Sequence, residues 1–161
     1  MKRLVALVLM LGLLMASSSF AAISGIGSLG GTPFLRLEFG SGKALDLGAT
    51  YTDNTAGGAA NTTLGALVRF SSVFMPVGNS VDVYWGLSAN ITSRNNAGVT
   101  TTPITVSGFL GAESMLSSNV GVFGDLNLIN FTSTSAGGTS TSTYSLLTAS
   151  TIATLGIVLY L

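Results

Sequence analysis

The chain contains no histidine and no cysteine. Zinc-type metal centres therefore lack their main ligands, and triads with a histidine base and cysteine nucleophiles are excluded. Disulfides, thiolate chemistry and lipid attachment through an N-terminal cysteine go with them. Charge is scarce as well. Asp, Glu, Lys and Arg make up 7% of the residues against 47% apolar, where a soluble domain carries about 25% charge. After Lys2 and Arg3 the basic residues are Arg36, Lys43, Arg69 and Arg94, which form no basic cluster, so nucleic acid is not an expected partner. The glycines at 25, 27, 30 and 31 precede neither a helix nor a Lys-Ser/Thr pair and make no phosphate loop. Asn61, Asn90 and Asn130 match the glycosylation pattern as chance products of a Thr-rich chain. Disorder goes with low hydrophobicity, and this chain is hydrophobic, so something must cover its apolar surface.

What is present begins with a three-part N-terminus. Lys2 and Arg3 precede an apolar run from Leu4 to Met15 and a small-residue tail, Ala16-Ser-Ser-Ser-Phe-Ala-Ala22. This is the layout of a secretory signal peptide, with Ser19 and Ala21 at the two small-residue positions. The expected division is a signal segment over 1–21 and one domain over 22–161. The apolar run is short for a bilayer-spanning anchor. No later segment reads as a membrane helix: the most apolar stretch, Thr143 to Leu161, is interrupted throughout by Ser, Thr and Gly.

The rest of the chain alternates. From Val81 to Thr92 every odd position is apolar (Val81, Val83, Trp85, Leu87, Ala89, Ile91) and every even one polar, small or amphipathic. Successive side chains of a strand point to opposite faces, so this is a ribbon with one apolar face. The same test predicts strands over Pro33–Phe39, Ala44–Thr52, Thr62–Ser72, Ile104–Ser114 and Val120–Thr132, the last with Leu126 and Leu128 on its apolar face. From Thr143 to Leu161 the apolar residues hold odd positions from Leu147 on, which reads as one long strand of unbroken register. Short turns are expected at Gly40–Lys43, Gly78–Ser80 and Ser117–Asn119. Longer Ala-Gly loops are expected at Thr55–Gly58, Asn96–Val99 and Ser135–Gly138. Seven strands follow Thr32, and Ala22–Gly30, whose alternation is poor, supplies an eighth.

The last eight residues, Thr154-Leu-Gly156-Ile-Val-Leu159-Tyr-Leu161, resemble the C-terminal assembly signal of bacterial outer-membrane barrels. The pattern falls on Thr154, Gly156, Leu159 and Leu161, with Leu161 in place of the usual terminal Phe. With the alternating strands, the short turns on one side and the longer loops on the other, the chain resembles the small eight-stranded outer-membrane proteins over nearly its whole mature length. The resemblance implies an all-β, closed, antiparallel, up-and-down transmembrane β-barrel in the bacterial outer membrane. It implies the lipid bilayer and the barrel-assembly machinery as partners, and a structural or surface-contact role. A lipid-exposed sheet must satisfy every backbone group and therefore closes, and eight strands leave an interior that side chains about fill.

The inward face would hold Arg36, Glu38, Asp46, Arg69, Asp82, Glu113 and Asp125, with Tyr84, Phe109, Phe123 and Tyr144 adding bulk. A polar interior is the default for such barrels. The expectation is a salt-bridged plug, with Arg36 near Glu38 and Arg69 near Asp82; the alternative is a narrow channel for ions or small solutes. The barrel proteases and acyltransferases that use histidine are excluded, no cofactor is implied, and the protein is not expected to be an enzyme. Trp85, Phe70, Phe39 and Tyr51 serve either as interface anchors or as plain lipid-facing bulk. A second class, a secreted β-sandwich pilus or surface-layer subunit, would share the signal peptide, the alternating strands and the penultimate Tyr160. It usually has a glycine where Thr148 stands, and its outward faces would be wet. No oligomeric state follows from the sequence.

Overall fold

A computed structural model describes residues 23–40, 42–54, 61–96, 98–146 and 153–161. The expected signal segment and the Thr55–Gly58 loop lie outside the described residues. The strands are β1 (Ile23–Leu29), β2 (Thr32–Glu38), β3 (Lys43–Asn54), β4 (Asn61–Val77), β5 (Val81–Asn96), β6 (Val99–Met115), β7 (Val120–Ala136), β8 (Thr139–Leu146) and β9 (Ala153–Tyr160). Every neighbour pairs antiparallel, and the ring closes where β9 bonds β7 on one side and β1 on the other. β8 and β9 pair successive stretches of β7, so together they fill one position of an eight-stranded closed barrel. A two-sheet sandwich is thereby overturned: one sheet closes on itself. The poorly alternating first segment does form a strand, because β2 and β9 supply partners on both edges.

The two ends of the barrel differ from expectation. The turns at Asn96–Val99 and Ser135–Gly138 are tight, not loose: strands run to Asn96 and from Val99, and to Ala136 and from Thr139. Gly137 and Gly138 have φ of 54° and 85°, the pair of positive angles that a two-residue hairpin of matching twist requires. The Ser and Thr residues that resemble loop composition are instead the ends of strands, and β4, β6 and β7 each reach 17 residues.

Two register changes also depart from the sequence pattern. A bulge opposite Gly108 and Phe109 places Ile129 and Asn127 across from them, so Ile129, 56% exposed, takes the outward place expected for Leu128. In the last position, Leu146 and Tyr144 are exposed on even numbers, while Leu155, Ile157 and Leu159 are exposed on odd ones. Ile129 faces Leu146 and Leu126 faces Ala153, so unequal lengths of chain stand between the same two levels. The odd-numbered outward register expected from Leu147 on holds over Leu155 to Leu161, but Tyr144 and Leu146 are out of phase with it, so Thr143 to Leu161 is not one strand of unbroken register.

The outward face is apolar and exposed, with Leu35, Leu47, Leu64, Trp85, Leu87 and Leu155 all at least 40% accessible. The core sits inside, around Phe34, Tyr84, Phe109, Phe123 and Val158. Four inward rings lie over glycines that are their direct cross-strand partners: Phe34 over Gly27, Tyr84 over Gly111, Phe109 over Gly86 and Phe123 over Gly156. A glycine in a strand marks a place where a neighbouring group comes close, here a ring packed onto bare backbone.

Candidate functional site: the interior charge network

Arg36 on β2, Asp46 on β3 and Arg69 on β4 are direct cross-strand neighbours in one row. All point inward and are at most 2% exposed. Antiparallel pairing puts them there: Arg36 and Asp46 lie symmetrically about the Gly40–Lys43 turn. Asp46 accepts from both arginines, at 2.8 and 3.2 Å from Nε and Nη2 of Arg36 and 2.6 Å from Nη1 of Arg69.

From this row the network crosses the lumen. Arg69 donates through Nε and Nη2 to the two oxygens of Asp125 on β7, both at 2.8 Å. Such a two-point fork between guanidinium and carboxylate is the strongest common ion-pair geometry. The Tyr84 hydroxyl donates to Asp125 Oδ1 at 2.7 Å. Arg36 Nη1 donates to Glu113 Oε2 on β6 and to the Tyr160 hydroxyl, each at 2.8 Å, and Tyr160 donates in turn to Glu113 Oε1 at 2.5 Å. Charges taken out of water need this degree of pairing. Among the described residues no buried side-chain nitrogen or oxygen lacks a partner.

Aromatic rings pack against both arginines. The Arg69 guanidinium lies 4.7, 5.0 and 5.1 Å from the ring centres of Phe109, Phe123 and Tyr84. Arg36 lies 5.3 Å from Phe123 and 5.7 Å from Phe34. These are cation–π distances, so the same rings that sit over glycines also cover the faces of both arginines.

Five of the seven expected cluster residues come together: Arg36, Asp46, Arg69, Glu113 and Asp125. Glu38 and Asp82 do not pair with them, correcting the expected Arg36–Glu38 and Arg69–Asp82 contacts. Both are exposed, and with Arg36, Lys43, Glu113 and Tyr160 they line a cavity of about 250 Å³ at the short-turn end. Asp82 is the direct cross-strand partner of Glu113, yet it stays exposed while Glu113 reaches Arg36. Tyr144 is also corrected. It is 81% exposed and packs outside against Phe131, its cross-strand partner, with ring centres 4.8 Å apart. Sequence reasoning missed Phe34 and Tyr160 as interior residues. The strand alternation already held the signal for both, since each lies next to outward residues (Leu35, and Leu159 with Leu161).

The positions expected to form an assembly signal lie where the barrel closes. Gly156 pairs with Leu29 of β1 and Phe123 of β7, and Leu159 pairs with Ile26 and Val120. Thr154 pairs with Asp125, and Leu161 donates its backbone N–H to Ser24 at 3.0 Å.

The chain is similar in fold to the crystal structure of Acinetobacter baumannii CarO, with 13% sequence identity, a TM-score of 0.40, and coverage of 86% of this chain and 97% of that one. No family model matches the sequence. No curated protein matches it either.

Proposed function

We propose that the protein is a small integral outer-membrane β-barrel with a plugged polar interior and a structural or surface-contact role, and that it performs no catalysis. The observation that carries this reading is the inverted distribution of polarity. Charged Arg36, Asp46 and Arg69 are buried at 2%, 0% and 1% exposure while Leu64, Leu87 and Leu155 stand at 59%, 53% and 75%. Water-soluble proteins rarely expose continuous apolar surface on this scale. A bilayer covers it.

The apolar band has an upper border. On β7 and β8 the outward residues run apolar from Val120 to the Phe131–Tyr144 pair, then become Ser133, Ser135, Ser140 and Ser142. On β3 the band ends at Tyr51, with Asp53 beyond. Aromatic residues at such a border fit the girdle of membrane barrels. Above it, strands of 17 residues extend past the 9–11 that cross a bilayer, so Ser/Thr-faced hairpins stand clear of the membrane as the contact surface. The bilayer and the assembly machinery, recognising Thr154, Gly156, Leu159 and Leu161, are the partners of this reading.

The test is insertion. The chain from Ala22, unfolded in urea and diluted into phosphatidylcholine vesicles, is expected to become vesicle-bound, rich in β-structure by circular dichroism, and faster-migrating in unheated than in heated detergent gels. A stable monomer in plain buffer would overturn the reading.

A further inference from the structure

The cavity of about 250 Å³ at the short-turn end lies just under the volume range of small-molecule sites, about 300–1,000 Å³. Three of its wall residues satisfy one another. Arg36 donates to Glu113 and Tyr160, and Tyr160 donates to Glu113. Three further polar groups of the wall are left over. Glu38 and Asp82 make no hydrogen bond and no ion pair among the described residues. Both alternate inward, Glu38 in step with Arg36 on β2 and Asp82 as the cross-strand partner of Glu113.

Ser71 is the third. It pairs with Ala44 and Gly86, alternates inward two residues from Arg69, and is 7% exposed. Its hydroxyl nevertheless has no hydrogen-bond partner among the described residues, where a buried hydroxyl normally has one. No fully enclosed side-chain oxygen is unpaired, so this hydroxyl opens on the cavity that it lines. Charge is out of balance as well. The inward face holds five carboxyl groups, on Glu38, Asp46, Asp82, Glu113 and Asp125, against the two guanidinium groups of Arg36 and Arg69. Lys43 borders the cavity, but its cross-strand row runs through Ser72 to the outward Trp85, so its side chain starts from the outer face. Among the described residues no three of the acids converge as metal ligands would.

We infer that this cavity binds a small organic cation with a primary ammonium head. The head carries N–H donors only, which suits a wall whose spare groups are two carboxylates and a hydroxyl oxygen. Ser71 Oγ accepts from the ammonium, and Glu38 and Asp82 supply the opposite charge. The short alkyl part lies against Val73 and Met115 of the same wall. Separated acids favour such an extended ion over a bare metal, and they disfavour a ligand that bears a carboxylate of its own. The inference needs the closed barrel and goes beyond the role proposed above.

Amide-shift NMR tests it. The isotope-labelled chain from Ala22, folded in uncharged maltoside micelles at neutral pH, is titrated with propylammonium chloride at constant ionic strength. The amides of Glu38, Ser71 and Asp82 are expected to shift and saturate together, while those of Thr105 and Thr132, elsewhere on the inward face, stay in place. Ser71→Ala should weaken binding about tenfold, as loss of a hydrogen bond to a charged group does. Glu38→Gln with Asp82→Asn should abolish saturation, with the rest of the spectrum unchanged. Tetramethylammonium, which has the charge and no N–H, should fail to saturate these amides. No saturating shift in the unmutated protein, an equal response to tetramethylammonium, or unchanged affinity in Ser71→Ala would each overturn the site. Saturation by calcium at lower concentration than propylammonium would overturn it too, by giving the cavity to a metal ion. A chain that gives no folded spectrum in micelles would overturn the barrel and the site with it.

Discussion

The Phe123 ring occupies the space that a Cβ on Gly156 would need, and the two residues are direct partners across the β7–β9 seam. The ring cannot simply move away. It packs edge-on against Phe34 at 6.0 Å and lies within 5.3 Å of both guanidinium groups. Gly156 thus has a packing reason of its own, whatever part the C-terminal pattern plays in recognition.

Gly156→Ala should therefore destabilise the folded barrel by about 1–3 kcal/mol, the usual cost of overpacking. Urea titration of vesicle-inserted protein checks this, and the loss should persist in refolding without any assembly machinery. Phe123→Leu in the same chain should recover part of it. A defect seen only in cells, with normal stability in vesicles, would assign Gly156 to recognition alone.

The pairing of the interior predicts which charges matter. Arg69→Ala leaves Asp46 and Asp125 facing each other's charge without their shared partner and should cost about 3–5 kcal/mol. Arg69→Lys should recover little, because a lysine cannot reproduce the fork on Asp125. Asp82→Ala, at the exposed strand end, should change stability by less than about 0.5 kcal/mol. Equal losses for Arg69→Ala and Asp82→Ala would restore the Arg69–Asp82 pairing that sequence spacing suggested.

That contrast shows what the sequence could carry. Seven strand positions were legible because one face of each strand is apolar and the other is not, and Val81 to Ile91 needs no further information; β1, whose alternation is poor, was placed only as the eighth strand the barrel requires. Legibility stopped where both faces turn polar. In β7 beyond Phe131, Ser133 and Ser135 alternate with Thr132 and Thr134, so period 2 vanishes and strand looks like loop. The inward side of Arg69 was also legible, but its partner Asp125 was not. That contact crosses the lumen between β4 and β7, and depends on how the closed ring staggers its strands. Tyr144 was misplaced for a local reason: alternation counted back from Leu161 fails once unequal lengths of chain separate Leu126 from Ile129 and Ala153 from Leu146.

The border set by Phe131 and Tyr144 gives a depth prediction. Leu87→Arg, in the middle of the apolar band, should cost about 2–4 kcal/mol, and Ser133→Arg, just past the aromatic pair, about 0–1 kcal/mol. Both point outward, so face is held constant and depth alone differs. Similar losses at the two positions in a vesicle folding titration would remove the border.

The last prediction concerns passage through the barrel. Arg36, Asp46 and Arg69 span three adjacent strands, and the arms to Glu113 and Asp125 bridge to the far wall. Phe34, Phe109 and Phe123 fill the space between at 3–4% exposure. An ion entering the cavity beside Glu38 and Asp82 meets a layer in which every buried polar group already has its partner. An eight-stranded barrel has an interior that side chains of this size about fill. The unmutated protein in planar bilayers should show no stable, solute-permeable conductance steps. Asp46→Ala removes the carboxylate shared by both arginines and leaves two cations in one low-dielectric layer, which favours water entry; brief conductance events should appear, with preference for anions. Large stable steps in the unmutated protein would show that the network opens as built, and would replace the plug with a channel for small solutes.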